Sequence, residues 1–188
     1  MEITALLAAD SNQLRWEFVD PSNLLYELCA QADGAATTLA SLRWGHHAAT
    51  AQCAGEAWTF QHRGFWAQRV LASPLISQTG TDIAPRIVRR TWRVSWRWST
   101  GERGWIQWRH GSRNTSDWIC EDQTGTPLLL MDVEPKSELA LDAIGRVEAL
   151  EDARGLPDLA LILELGWYLA LLTRLHEKVR IDTGGGGS

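Results

Sequence analysis

The fold the sequence predicts is mostly β, with one α-helix: a closed antiparallel barrel of about twelve strands around a central hydrophobic C-terminal helix. Two observations predict it. Apolar and polar residues alternate in short runs, set about 8–12 residues apart, along most of the chain. The last long segment, Leu159 to Leu172, is instead apolar on every side. A helix of that kind must be walled in, and a closed sheet supplies a wall without leaving exposed edges.

The strands follow in order. Leu14, Trp16 and Phe18 alternate with Arg15, Glu17 and Val19, one buried face against one wet face. Asp20-Pro21-Ser22-Asn23 breaks this run as a turn. Leu24 to Ala30 forms the next strand, with Leu24, Tyr26 and Leu28 on one side. Gln31-Ala32-Asp33-Gly34 connects a hairpin, since Asp-Gly tolerates positive φ. Ala36 to Trp44 and His47 to Cys53 pair across Gly45. Glu56 to Gln61 and Phe65 to Ala72 follow, divided at Arg63-Gly64, and Ser73 to Asp82 reads as a loop containing Pro74 and Gly80. Further strands are expected at Ile83 to Arg90, Thr91 to Trp98, Trp105 to His110, Ser116 to Glu121, Pro127 to Val133 and Arg146 to Leu150. Leu156-Pro157-Asp158 opens the helix, with Pro early and an acid in the first turn, and the helix is expected to run to Glu177. Met1 to Ala9 is an extra strand or a loose arm.

The chain is 45% hydrophobic and 22% charged, which suits a globular domain large enough to need no staples. Residues 1–182 read as a single domain. The run from Thr183 to Ser188 reads as a synthetic Gly/Ser linker and is left out of the fold. Cys29, Cys53 and Cys120 match no zinc spacing, and reduced thiols fit a cytoplasmic chain. Met1-Glu2-Ile3-Thr4 does not resemble a signal peptide. The apolar helix is shorter than the roughly 20 residues of a span and is interrupted by Glu164, so a core helix is expected rather than an integral anchor.

Charge is unevenly spread. Arg86, Arg89, Arg90, Arg93, Arg97, Arg103, Arg109 and Arg113 face one acid, Glu102, whereas the stretch from Glu121 to Glu164 is acidic. This marks either a basic binding face or two neighbouring parts that pair with each other. Trp92, Val94, Trp96 and Trp98 share one strand face, and Arg93 and Arg97 the other; Trp105 and Trp108 lie on opposite faces of the following strand. If the indoles point outward, they and the guanidinium groups make a stacking, cationic surface suited to phosphate-bearing headgroups or single-stranded nucleic acid. If they point inward, they fill the core and the Arg stems cover the outside. Eleven Trp spread over the chain favour the inward arrangement.

Glu164 stands among leucines in mid-helix. An unpaired buried carboxylate is costly, so it should pair with an Arg or reach a polar opening of the barrel. His46, His47, His62, His110 and His176 have no metal-ligand spacing, and the chain lacks a phosphate loop, a nucleophile elbow and an HExxH run. No metal, no cofactor and no catalytic residue is expected.

Several strings carry a family resemblance: Leu25-Tyr26-Glu27-Leu28, Leu39-Ala40-Ser41-Leu42-Arg43-Trp44, Ala57-Trp58-Thr59-Phe60-Gln61-His62-Arg63-Gly64-Phe65-Trp66 and Leu163-Glu164-Leu165-Gly166-Trp167-Tyr168-Leu169. With the order of strands first and apolar helix last, the region from Leu14 to Leu175 resembles the tubby C-terminal-like superfamily, which includes phospholipid scramblases and plant LURP-one-related proteins. The strings themselves look like uncharacterised bacterial members. The resemblance implies a barrel enclosing its C-terminal helix, and in some relatives binding of phosphoinositides or other anionic lipids. The dense Asp run of scramblase calcium sites is not matched by Asp142, Glu148, Glu151 and Asp152, so no calcium site is carried over.

The expected function is a non-enzymatic module that docks peripherally on anionic phospholipid headgroups, at the cytoplasmic face of a membrane. Arg86, Arg89, Arg90, Arg93, Arg97, Arg109 and Arg113 are its candidate contacts. The alternatives are a structural or protein-interaction domain and, with less support, a single-stranded nucleic-acid binder. A net charge of −5 argues mildly for a protein partner, because strong membrane and nucleic-acid binders are usually basic.

Overall fold

A computed structural model describes residues 14–32, 35–45, 48–53, 55–63, 69–76, 86–91, 95–99, 104–111, 117–156 and 158–184. For residues 31–32, 35, 76, 86–91, 95, 99 and 180–184 it describes the backbone alone. The fold is one antiparallel sheet with a long C-terminal helix packed against it. Its strands are β1 (Leu14–Asp20), β2 (Leu25–Ala32), β3 (Ala35–Trp44), β4 (Ala49–Cys53), β5 (Glu56–Arg63) and β6 (Arg69–Ile76). They continue as β7 (Arg86–Thr91), β8 (Ser95–Ser99), β9 (Trp105–His110), β10 (Asp117–Asp122), β11 (Pro127–Pro135) and β12 (Ala143–Ala149). A 3-10 turn at Glu151–Ala153 leads to helix α1, Leu159–Gly184.

Each strand pairs with its neighbours in the chain, and β12 pairs with β1 through Leu14↔Val147, Arg15↔Arg146 and Trp16↔Gly145. The ladder therefore returns to its starting strand. Period-two alternation sets the faces. In β4, Ala49, Ala51 and Cys53 are buried while Thr50 and Gln52 are exposed. In β1, Leu14 and Trp16 are buried, as the alternation predicts.

Helix α1 is buried on every side from Leu161 to Thr173. The segment Leu159–Val179 is long and apolar enough to cross a membrane by length and composition, yet most of it is buried within the fold. Its backbone comes closest to β3, β4 and β5. Small residues on those strands (Ala40, Ala49, Ala51 and Cys53) permit the approach. Trp96, Trp98, Trp108 and Trp118 from β8, β9 and β10 are buried at 1–3% exposure. Large side chains on these strands and small ones on β3 and β4 are the kind of exchange close packing requires.

Glycines let the indoles in. A Cβ on Gly145 would lie 2.5 Å from the Trp167 ring, and one on Gly166 would collide with the Trp108 ring. Trp167 stacks on Trp16 at 5.8 Å and meets Tyr26 edge-on at 5.6 Å. Tyr168 turns the other way, to Trp44 at 5.0 Å and Phe60 at 5.3 Å. Successive helical residues point about 100° apart, so the two aromatics serve different strands.

Several boundaries differ from the sequence reading. Strand β6 runs to Ile76 and includes Ser73 and Pro74, which had read as loop. Pro74 pairs with Trp58 beside a register shift between Ala57 and Trp58, and an irregularity of that kind tolerates a residue without an N–H. Leu24 belongs to the turn, with φ 48°, rather than to β2. Strand β12 begins at Ala143, three residues before the expected start. Helix α1 begins at Leu159 instead of Leu156 and extends past Glu177 to Gly184, into the first residues of the Gly/Ser run. Gln31 pairs with Ala36 and Ala32 with Ala35, so the strands take in the first two residues of the expected connection Gln31-Ala32-Asp33-Gly34, and Asp33 and Gly34 lie outside the described residues. Met1 to Ala9, Trp92, Val94, His46 and His47 lie outside the described residues.

Candidate functional site

The register resolves the Trp-Arg stretch. Trp96 and Trp98 are buried at 1% and 3%, while Arg97 between them is exposed. On β9, Trp108 is buried and Trp105 is half-exposed on the outer face. The indoles of β8 are therefore core, and among the described residues of this group the outer surface keeps Trp105. Arg97 Cζ sits 3.9 Å above the Trp105 ring, and its Nε and one terminal nitrogen donate to Gln107 Oε1 at 3.3 and 3.1 Å.

The candidate arginines among the described residues do not share one register row. Arg89 pairs with Arg97 across β7 and β8. Arg86 pairs with buried Ala72, and Arg90 with buried Trp96, so both take register positions of the buried side of the sheet. Arg109 donates from Nε to Glu121 Oε2 at 2.8 Å, so an acid of the neighbouring strand already balances its charge. Arg93 and Arg113 lie outside the described residues.

Strand pairing adds two arginines that the sequence reading did not select. Arg63 pairs with Arg69, Arg69 with Arg89, and Arg89 with Arg97. One register row thus crosses β5, β6, β7 and β8 carrying arginine at every position, and Arg63, Arg69 and Arg97 are exposed. At about 4.8 Å per strand, the row is about 14 Å long. Like charges placed directly opposite on paired strands repel, and this row repeats the arrangement three times in succession. Beyond Arg97 it ends in Gln107 and then Glu121. Arg63 and Arg69 stand 34 and 28 residues before Arg97; the only signal of their kinship is strand register, which one-dimensional spacing does not carry.

Glu164 departs from expectation. It is 0% exposed, and neither carboxylate oxygen has a hydrogen-bond partner among the described residues. It neither pairs with a described Arg nor reaches a polar opening. Burial, aided by the negative charge of Glu56, raises its pKa well above the ordinary carboxyl value. The neutral acid is far cheaper to bury than the anion, and this is how the helix tolerates it. Burial, with Glu164 and Glu56 nearby, pushes the Cys53 thiol up to about 12, and burial drives Cys120 up as well. Thiols raised in this way are poor nucleophiles at neutral pH. Cys29 is only partly buried, but burial and the neighbouring Glu17 and Glu27 also raise it.

Beside the helix, the Tyr168 hydroxyl lies 3.4 Å from His62 Nδ1, and the His62 and His176 rings meet edge-on at 6.2 Å. No group of three or more His, Cys, Asp or Glu among the described residues could hold a metal ion. Comparison of the chain with protein-family models, curated proteins and solved structures finds no match.

Proposed function

We propose that this chain is a non-enzymatic binding module that docks peripherally on anionic phospholipid headgroups through the outer arginine row of β5–β8. The observation that carries the reading is the unbroken register Arg63–Arg69–Arg89–Arg97. A fold gains nothing from lining up like charges, whereas a surface of phosphates relieves their repulsion and accepts charge-assisted hydrogen bonds from each guanidinium. Arg97 Cζ sits over the Trp105 ring, which places the indole beside the cationic row as an interfacial anchor. Burial of Trp96 and Trp98 removes the aromatic platform that single-stranded nucleic acid would need, so that alternative loses its main support.

The reading includes the architecture and its kinship. A closed barrel of the tubby-like kind, with α1 along its interior, is supported by the β1–β12 ladder and by burial of the helix on every side. A cytoplasmic protein that meets the inner membrane face goes with the same reading.

Flotation of the purified chain with liposomes tests it. Vesicles rich in phosphatidylserine should carry the protein upward at low salt, neutral phosphatidylcholine vesicles should not, and salt should weaken the association. The double variant Arg69→Glu/Arg97→Glu should remain with the soluble fraction. Absence of co-flotation under every condition, or equal flotation of the double variant, would sink the proposal.

A further inference from the structure

A second feature lies on other strands. The outer side of β10, β11, β12, β1 and β2 carries a groove of about 730 Å³, within the roughly 300–1,000 Å³ of small-ligand sites. One register row crosses it. Arg15 pairs with Arg146, Arg146 with Asp132, and Asp132 with Asp117. The row reads cation, cation, anion, anion. It therefore holds two like-charge pairs of opposite sign side by side, each unfavourable across paired strands. The central Arg146–Asp132 pair and the longer-range attractions along the row offset that cost, which leaves one cationic and one anionic end.

The surroundings sharpen the arrangement. Glu17 Oε1 lies 3.4 Å from Arg15 Nε, yet that nitrogen has no hydrogen-bond partner among the described residues. Leu130 and Ile119, also in the lining, face each other across β11 and β10 one row from the aspartates and give the acidic end an apolar flank. Glu148 lies in the lining opposite Leu130.

We infer that this groove binds a linear zwitterion of the class of a free tripeptide. Its carboxylate lies over Arg15 and Arg146, and its ammonium group over Asp132 and Asp117. The midpoints of the two like-charge pairs are two strand spacings apart, about 10 Å. Three residues at about 3.3 Å each span that length in an extended chain. An apolar side chain on the residue that carries the ammonium group packs on Leu130 and Ile119. Glu17 beside Arg15 already balances part of the cationic end, so the ammonium end contributes more than the carboxylate end. The site shares no residue with the arginine row and stands or falls separately from it.

Isothermal titration of the full chain with the peptide Leu-Ala-Ala tests the inference, with N-acetylated and C-amidated forms as comparisons. The free peptide should bind. Each cap should weaken binding by about tenfold, the acetyl cap more than the amide, as expected for loss of a charge-assisted contact. Asp117→Asn/Asp132→Asn should weaken the free peptide by about the same factor and bring it level with the acetylated form. Arg97→Glu should leave binding unchanged, and circular dichroism checks that each variant folds. No heat at millimolar peptide, indifference to both caps, or full binding by the folded double Asn variant would overturn the assignment.

Discussion

The two sides of the sheet are built on opposite terms. The inner side is specified atom by atom: Gly145 leaves room for Trp167, Gly166 for Trp108, and small β3–β4 residues let the helix approach. The outer side is specified by charge. Two register rows, one of arginines on β5–β8 and one split between arginine and aspartate on β1, β12, β11 and β10, run over strands whose packing is settled from within. The difference teaches where each kind of substitution should act. Inner changes should move stability, and outer changes should move binding while leaving stability nearly alone.

The largest effect should come from removing the aromatic that links helix and sheet. Trp167→Ala takes away the stack on Trp16 and the edge contact with Tyr26, and should cost about 3–5 kcal/mol by urea denaturation. A cost under about 1 kcal/mol would mean that the inner side repacks freely, and the contrast between the two sides would fail. Gly166→Ala sets two effects against each other. Alanine favours a helix by about 1 kcal/mol over glycine, but its Cβ would collide with the Trp108 ring. The ring is 2% exposed and confined, so the collision wins and the variant should lose about 1–3 kcal/mol.

Glu164→Leu should work in the other direction. It removes a buried polar group with no described partner and should stabilise by about 1–3 kcal/mol. Its pH dependence follows from linkage. The folded-state pKa is raised above the ordinary value of 4.5. Between those two values the native state binds more protons than the unfolded state, so wild-type stability falls as pH rises through the window. The Leu variant lacks this slope, and its advantage should be larger at pH 8 than at pH 5. A constant advantage across that range would mean that Glu164 ionises normally.

The smallest stability change belongs to the outer side. Arg69→Glu/Arg97→Glu turns three like-charge contacts into opposite-charge ones but loses the Arg97–Trp105 contact, so it should unfold within about 0.5 kcal/mol of the parent, although it should lose anionic liposomes. Arg109→Ala lies between the two groups. It breaks a pair whose partners are 39% and 15% exposed, and should cost at most about 1 kcal/mol, less at high salt. A thermal melt of each at two salt concentrations separates them.

Strand existence was readable because alternation is local: Leu14–Trp16–Phe18 and Trp105–Ile106–Gln107–Trp108 declare their faces within a few residues. Strand ends were less readable. Pro74 had read as a loop because a bulge partner, Trp58, is sixteen residues away. The candidate site was half legible. The arginine-rich stretch was visible, and Arg89 and Arg97 stand in the row. Arg109 is balanced by Glu121, Arg86 and Arg90 take positions of the buried side, and Arg63 and Arg69 join from strands the stretch does not include.

The sequence by itself determined a β-rich chain ending in an apolar helix, because hydrophobic period and all-round apolarity are written in neighbouring residues. Only the tertiary structure decided which arginines stand together, that Glu164 is buried without a described partner, and that Arg15, Arg146, Asp132 and Asp117 form one row. Register between strands is set by how side chains pack inside, and a slip of one residue would exchange every face. Charges distant in the chain become neighbours only after that packing is complete.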